Sequence, residues 1–138
     1  MFFFPCLIIG DSIAVGLAEV RPECMHSAQG GINTKNFLET NKVSFCAETV
    51  VISLGANDFY NSEIDTEKNL IELRKNVFAK RVFWILPIER LRPKQFEIVK
   101  RVASSNGDSL IYRPLDYLTE DGIHPTKKGY EIIKELTE

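Results

Sequence analysis

Phe4-Pro5-Cys6-Leu7-Ile8-Ile9-Gly10-Asp11-Ser12 is the stretch that decides the fold of this 138-residue chain. Seven of the first nine residues are Met, Phe, Leu or Ile. An apolar run without alternation is typical of a strand buried on both faces of a parallel sheet. The run stops at a glycine, an acid and a hydroxyl, and the small apolar residues of 13–18 can continue as a helix. We therefore predict a strand that ends near Ser12, followed by a helix packed on the same sheet.

The rest of the chain alternates predicted strands with predicted helices. Further strands are expected at 24–27, 49–54, 82–86 and 109–112, and helices near 34–38, from 65 or 66, from 93 and from 125. The second of these helices carries Leu70, Leu73 and Val77 at helical spacing. Five strands that alternate with helices predict an α/β fold, a three-layer α/β/α sandwich around a five-stranded parallel sheet. The length fits a single domain over residues 1–138.

The composition limits the partners and the compartment of the protein. Charged residues make up 26% and the net charge is −2, so nothing indicates nucleic-acid binding, and no apolar run is long enough to span a membrane. The N-terminal run lacks a basic segment, so we expect no targeting signal. Cys6, Cys24 and Cys46 show neither metal-ligand spacing nor a disulfide framework, and the first two are interpreted as small buried hydrophobes in strands. This pattern favours a reducing, cytoplasmic location.

Ser12 is the first candidate for chemistry. Open α/β folds bind their ligands at the carboxyl ends of strands, and a serine at a strand-to-helix turn places its hydroxyl there. Its backbone N–H, at a helix N-terminus, would point towards developing negative charge. The same position also suits a helix N-cap, because a serine oxygen accepts from amides of the first turn. Taken alone, the position fits a nucleophile or a cap.

An acid and a histidine near the end of the chain supply the partners that a nucleophile needs. Asp121 and His124 lie three apart in a loop that must turn, since Gly122 relaxes the backbone and Pro125 fixes a helix entry. The carboxylate can reach Nδ1 of the imidazole and leave Nε2 outward as a base. The other histidine, His26, falls in a short predicted strand with no adjacent carboxylate and is interpreted as structural.

Two further positions offer hydrogen-bond donors for an oxyanion. Asn57 follows the third strand and belongs on the same edge as Ser12, and its amide is a neutral donor, although asparagine is also a common turn former. Gly30 and Gly31 could bring an unencumbered backbone N–H close to a substrate oxygen, or could simply make a tight turn.

Four blocks of this sequence together resemble the SGNH (GDSL-type) hydrolases. They are Gly10-Asp11-Ser12-x-x-x-Gly16, Gly31 in a Gly-x-x-Thr setting, Gly55-x-Asn57-Asp58 and Asp121-x-x-His124-Pro125, in the family's order over nearly the whole chain. The resemblance implies a flavodoxin-like SGNH-hydrolase architecture and esterase or acyl-transfer chemistry. It assigns Ser12 as nucleophile, His124 as base and Asp121 as the residue that orients the base. It also implies an oxyanion hole formed by the Ser12 and Gly31 amides and the Asn57 side chain, with Gly30 as the alternative to Gly31.

The acids beside these blocks have no catalytic role in this scheme. Asp11 and Asp58 are predicted to accept hydrogen bonds that hold the two loops. No cofactor-binding or metal-binding motif accompanies them, so none is expected.

The lengths of the connections limit the substrate. Only 57–64, 87–92 and 114–120 have room to wall a pocket, and no segment is left for a lid. We therefore predict a small, acetyl-type acyl group and an open alcohol side that can take a carbohydrate. Residues that could stack on a sugar or contact an anionic group on it are Phe59, Tyr60, Arg90 and Arg92.

Parts of the sequence also fit other functions. A lysophospholipase or thioesterase acting on lipid esters would use the same residues. Acids at the ends of two strands superficially resemble a phospho-receiver module, but Arg113-Pro114 and Leu86-Pro87 stand where that module needs a lysine and a hydroxyl. The chain has neither a P-loop nor a dinucleotide fingerprint. An inactive carbohydrate-binding module is disfavoured, because all the proposed catalytic residues are present.

Overall fold

In the computed structural model, which describes residues 4–138, five parallel strands form one central sheet. The strands are β1 (Cys6–Gly10), β2 (Met25–Ala28), β4 (Thr49–Ser53), β6 (Arg81–Ile85) and β7 (Ser109–Ile111), in the order β2-β1-β4-β6-β7. Two shorter strands, β3 (Phe45–Cys46) and β5 (Val77–Phe78), form a separate parallel pair. The predicted α/β class and five-stranded parallel sheet are confirmed.

Helices cover both faces of the sheet. They are α1 (Ser12–Val20), α2 (Thr34–Thr40), α3 (Thr66–Lys75), α4 (Pro93–Ser105) and α5 (Lys127–Leu136). Side chains buried on the α2–α4 face include Ile9, Ile52, Phe37, Leu70 and Val99, and those on the α1–α5 face include Ile8, Val51, Leu17 and Ile133. Because successive strand residues point to opposite faces, β1 and β4 supply both cores. Within residues 4–138, no helix has the length and apolar character needed to cross a bilayer.

The small sheet of β3 and β5 corrects one element of the prediction. Val77 does not extend the apolar stripe of α3, because the helix ends at Lys75 with Asn76 as its C-cap. Val77 instead pairs with Phe45, and both side chains are buried while Phe78 is half exposed. A strand of two residues shows no alternation, so the sequence pattern does not distinguish it from the end of a helix.

Cys6 and Cys24 are buried, as predicted, but they form a disulfide, so the prediction that they are unpaired is wrong. Cys24 lies just before β2, and parallel pairing sets Leu7 opposite Met25. Cys6 and Cys24, each one residue before this pair, therefore lie side by side with their Cα atoms 4.8 Å apart. Cys46 is exposed and unpaired. The predicted cytoplasmic location rested on unpaired cysteines and loses that support.

A close contact between the ends of β1 and β4 fixes the turn that carries Ser12. Gly10 has φ of +137°, and a Cβ there would overlap the carbonyl oxygen of Ser53. The following amide, on Asp11, donates to that same oxygen at 2.9 Å. Only glycine fits such a contact in this conformation. The chain therefore leaves β1 in one direction, directly into α1.

Candidate active site

Side chains from the two ends of the chain meet at the carboxyl edge of the sheet. Oγ of Ser12 lies 2.9 Å from Nε2 of His124, and Nδ1 of His124 lies 2.6 Å from Oδ2 of Asp121. Ser12 opens α1 directly after β1, whereas Asp121 and His124 lie in the loop before α5. Helices α1 and α5 pack against each other on one face of the sheet. This packing brings the two parts of the candidate site together.

The loop before α5 holds Asp121 in its charged form. Oδ1 of Asp121 accepts from the Thr119 hydroxyl at 2.6 Å and from the amides of Ile123 and His124 at 2.8 and 3.0 Å. These bonds, that of Thr119 foremost, lower the pKa of Asp121 well below its usual range. A charged carboxylate on Nδ1 favours the tautomer that carries its proton there. Nε2 of His124 is then free to accept from the Ser12 hydroxyl.

Asp11, not Ser12, caps the first helix. Oδ1 of Asp11 accepts from the amide of Ile13 at 3.0 Å and from the hydroxyl of Ser53 at 2.8 Å. Asp11 is buried, and this burial raises the pKa of its carboxyl. Of the two roles left open for Ser12, nucleophile or N-cap, the cap belongs to its neighbour Asp11. The prediction that Asp11 accepts hydrogen bonds that hold its loop is confirmed.

Asp58 plays a similar part after β4. One carboxylate oxygen accepts from the Thr34 amide at 2.8 Å, and the other accepts from the hydroxyls of Thr34 and Thr66 at 2.6 and 2.7 Å. The buried acid therefore joins the starts of α2 and α3 to the short 3₁₀ turn Ala56–Tyr60. That turn carries Asn57, so Asp58 holds it at the edge of the sheet, as predicted.

The predicted oxyanion donors lie beside the serine. Nδ2 of Asn57 donates to the carbonyl oxygen of Ile32 at 3.1 Å, which leaves the second N–H of the amide for another acceptor. Ser12, Gly31, Asn57 and His124 line one cavity, and Gly31 has φ of +77°. Gly30 is not among the residues that line it. His26 is exposed on the edge strand β2 and lies outside this cavity.

The cavity that Ser12 lines has a volume of about 210 Å³. Its apolar wall is formed by Ile13, Ile88, Leu91 and Ile123, and its polar wall includes Tyr60, Arg92 and Arg113. Arg113 lies two residues after the end of β7 and was not among the predicted site residues. The signal that could have found it is a charged residue after the carboxyl end of a strand, at the edge of the sheet where Ser12 and Asn57 also lie.

The aromatic and basic residues proposed as sugar or anion contacts separate into two places. The guanidinium of Arg92 lies 4.0 Å from the ring centroid of Phe59, and Nη2 of Arg92 donates to the Tyr60 hydroxyl at 2.9 Å. These three residues form one cluster at the cavity. Arg90 instead lines a neighbouring depression that shares Ile88 and Arg113 with the cavity.

One group of potential metal ligands occurs in the part of the chain that the structure describes. It consists of Cys6, Cys24 and Glu23, on the opposite edge of the sheet from Ser12. The disulfide takes both sulfur atoms, so neither cysteine offers the thiolate that a metal binds.

Comparison with solved structures reveals the same fold in hydrolases. The alignment with a GDSL-like lipase from Bacteroides thetaiotaomicron has 18% identity and a TM-score of 0.65, and covers 95% of this chain and 84% of that one. The alignment with a family 3 carbohydrate esterase of Clostridium thermocellum has 14% identity and a TM-score of 0.55, and covers 98% of this chain and 100% of that one. The alignment with a carbohydrate acetylesterase family member from Sinorhizobium meliloti has 11% identity and a TM-score of 0.52, and covers 97% of this chain and 99% of that one. The chain therefore has the predicted fold of the SGNH hydrolases.

Searches of sequence gave no comparable match. No protein-family model matches the chain, and no curated protein does.

Proposed function

We propose that this protein is a serine esterase that hydrolyses small, acetyl-type esters on carbohydrates. The observation that carries the proposal is the continuous series of contacts from Asp121 through His124 to Ser12. A serine hydroxyl is a weak nucleophile unless a base takes its proton, and Nε2 of His124 is in position to do so. This arrangement also argues against an inactive binding module, which would have no need of it.

The reaction proceeds in two steps. Oγ of Ser12 attacks the ester carbonyl while His124 takes the hydroxyl proton, and His124 then gives that proton to the departing alcohol. Water attacks the acyl-enzyme with the same histidine as base, which releases the acid and restores Ser12. The charge of Asp121 stabilises the imidazolium in each step.

The negative oxygen of each tetrahedral intermediate needs donors. The Ser12 amide opens α1, where the unpaired amides of a helix attract negative charge. The Gly31 amide and the second N–H of Asn57 complete the proposed oxyanion hole, and Gly30 is the alternative to Gly31. Deletion of one such donor commonly lowers kcat by about 10²–10³.

The size of the cavity supports a short acyl group. Its volume of about 210 Å³ is below the roughly 300–1,000 Å³ of pockets that enclose drug-sized ligands. Two of the structures with the same fold are named a carbohydrate esterase and a carbohydrate acetylesterase family member, which supports the carbohydrate side of the proposal. One is named a GDSL-like lipase, so a lipid ester is the alternative substrate.

A fluorophosphonate probe and a panel of aryl esters from acetyl to octanoyl test the proposal. We expect one phosphonate on Ser12, none on Ser12→Ala, and the highest kcat/KM for acetyl. Ser104→Ala, an exposed serine on α4, is the matched control and should be labelled and active. Labelling at another residue, or turnover by Ser12→Ala, would reject the mechanism. A kcat/KM that rises steadily to octanoyl would replace the carbohydrate ester with a lipid ester.

A further inference from the structure

Arg113 is a buried arginine in the wall of the active-site cavity. Only 8% of its surface is exposed. Nη1 donates to the carbonyl oxygen of Ile123 at 3.2 Å, and Nε is buried with no hydrogen-bond partner. Within residues 4–138, no carboxylate lies within 4.0 Å of its guanidinium. A buried charge with so few partners is costly, so an acceptor brought by a ligand would stabilise it.

A second guanidinium faces the same cavity. Arg92 donates to the carbonyl oxygens of Ala56 and Leu91 and to the Tyr60 hydroxyl, so its position is fixed by its own contacts. Burial, together with the charge of Arg92, lowers the pKa of Arg113. Two like charges at one cavity repel each other, and a bound anion would relieve that repulsion.

The acidic groups near Arg113 compensate its charge only in part. Asp11 lowers the cost of burying Arg113, but its Oδ1 is already occupied by the donors of Ile13 and Ser53. Burial also raises the pKa of Asp11. Burial raises the pKa of the Tyr130 hydroxyl to about 12, so this group is neutral at ordinary pH. The electrostatic balance at this end of the cavity therefore favours an added negative charge.

Ser12 and Arg113 reach the cavity from different strands. Ser12 follows β1 and Arg113 follows the edge strand β7, with β4 and β6 between them. The apolar side chains of Ile88 and Ile123 line the same cavity. An anionic group at Arg113 and the ester bond at Ser12 would thus be different parts of one substrate molecule.

We propose that the substrate carries a carboxylate or a comparable anion, which Arg113 binds while Ser12 attacks the ester. This inference rests on the proposed esterase function and narrows its substrate class. The anion has two possible sources: the acyl part, as in a half-ester of a dicarboxylic acid, or the alcohol part, as in an acetylated acidic sugar. Arg113 would hold either by charge-assisted hydrogen bonds.

Two matched pairs of esters distinguish these sources. Monophenyl succinate and its methyl ester test an anionic acyl part, whereas 3-acetoxybenzoate and its methyl ester test an anionic alcohol part. In one pair, we expect kcat/KM of the anion to exceed that of the neutral ester by roughly ten- to a hundredfold, the usual effect of one hydrogen bond to a charged group. Ratios of one or less in both pairs would overturn the inference.

Variants connect the preference to Arg113. In Arg113→Met, the ratio of kcat/KM for the anion to that for its methyl ester should fall to about one. In Arg113→Lys, which keeps the charge, part of the preference for the anion should remain. The matched control is Arg101→Met, because Arg101 is exposed on α4, pairs with Glu67 and does not line the active-site cavity, so this variant should keep the full ratio. A ratio unchanged in Arg113→Met, or lost in Arg101→Met, would overturn the assignment. If Arg113→Met does not fold, Arg113→Lys decides: a reduced ratio supports a contact with the guanidinium, and an unchanged ratio would overturn it.

A binding measurement separates this inference from the esterase proposal. Calorimetry on Ser12→Ala should show each anion of the preferred pair binding at least roughly tenfold more tightly than its methyl ester, and Arg113→Met in that background should remove the difference. Equal affinities would overturn the anion site even if neutral esters are hydrolysed. Tight anion binding by a protein that hydrolyses no ester would reject the esterase and retain the anion site.

Discussion

The carboxylate of Asp121 determines which nitrogen of His124 carries the proton. Asp121→Asn places an amide 2.6 Å from Nδ1, where it can donate and so favour the wrong tautomer. We expect kcat to fall by up to about 10⁴-fold with the fold intact, measured as initial rates on an aryl acetate. Asp116→Asn, an exposed acid in the preceding turn, should match the unchanged protein. A loss below tenfold would show that another group orients His124.

The buried carboxyl of Asp11 makes stability depend on pH. Because burial raises its pKa, the folded state binds the proton more tightly than the unfolded state. Its contribution to stability is therefore complete below the unfolded pKa of about 3.9 and is lost as the pH rises through the folded pKa. Asp11→Asn keeps an oxygen for the donors of Ile13 and Ser53 but cannot ionise.

Urea unfolding at pH 4, 5.5 and 7 measures this effect. The free energy of unfolding of the unchanged protein, relative to that of Asp11→Asn, should fall as the pH rises. A relative rise would mean that attraction to Arg113 outweighs the burial of Asp11.

Among the secondary-structure elements, α2 and α3 depend on one buried acid. Asp58→Ala leaves the amide and hydroxyl of Thr34 and the hydroxyl of Thr66 without their acceptor. We expect the free energy of unfolding to fall by about 3 kcal/mol, measured by urea denaturation, and kcat to fall as the turn with Asn57 loosens. Asp65→Ala removes only the exposed N-cap of α3 and should cost about 1 kcal/mol. Equal losses in the two variants would contradict the proposed role of Asp58.

The elements that the sequence predicts well are those with a strong local signal. The strands β1, β4 and β6 are continuous apolar runs, and α4 (Pro93–Ser105) begins at the predicted residue. The last helix begins at Lys127 with Thr126 as its N-cap, two residues after the predicted Pro125. A proline allows a helix to begin but does not fix its first residue.

The features that the sequence does not predict all depend on contacts between distant segments. The pairing of β3 with β5 joins residues about thirty positions apart, and the disulfide depends on the register of β1 against β2. For the same reason, Arg113 joins the site only through the order of the strands. In contrast, Ser12, Asn57 and His124 could be predicted, because each belongs to a motif that is local in sequence.

At the scale of the whole molecule, the disulfide closes the connection from β1 through α1 to β2. Cys6 and Cys24 are 18 residues apart, and a cross-link over such a loop contributes about 3 kcal/mol. Dithiothreitol should therefore lower Tm by roughly 10 °C, measured by circular dichroism. Cys46→Ser removes the unpaired, exposed cysteine and should show the same shift. An unchanged Tm, with both thiols shown to be free by alkylation, would contradict this role.

The single tryptophan lies in the core, away from the cavity. Trp84 in β6 is fully buried on the α2–α4 face, and its Nε1 donates at 2.8 Å to Asp108, which also binds Arg74. Its fluorescence emission should therefore lie at short wavelength in the folded protein and shift to the red only when the core opens. Since Trp84 does not line the cavity, bound esters should leave that emission unchanged. One optical signal can thus distinguish a variant that has lost its structure from one that has lost only its chemistry.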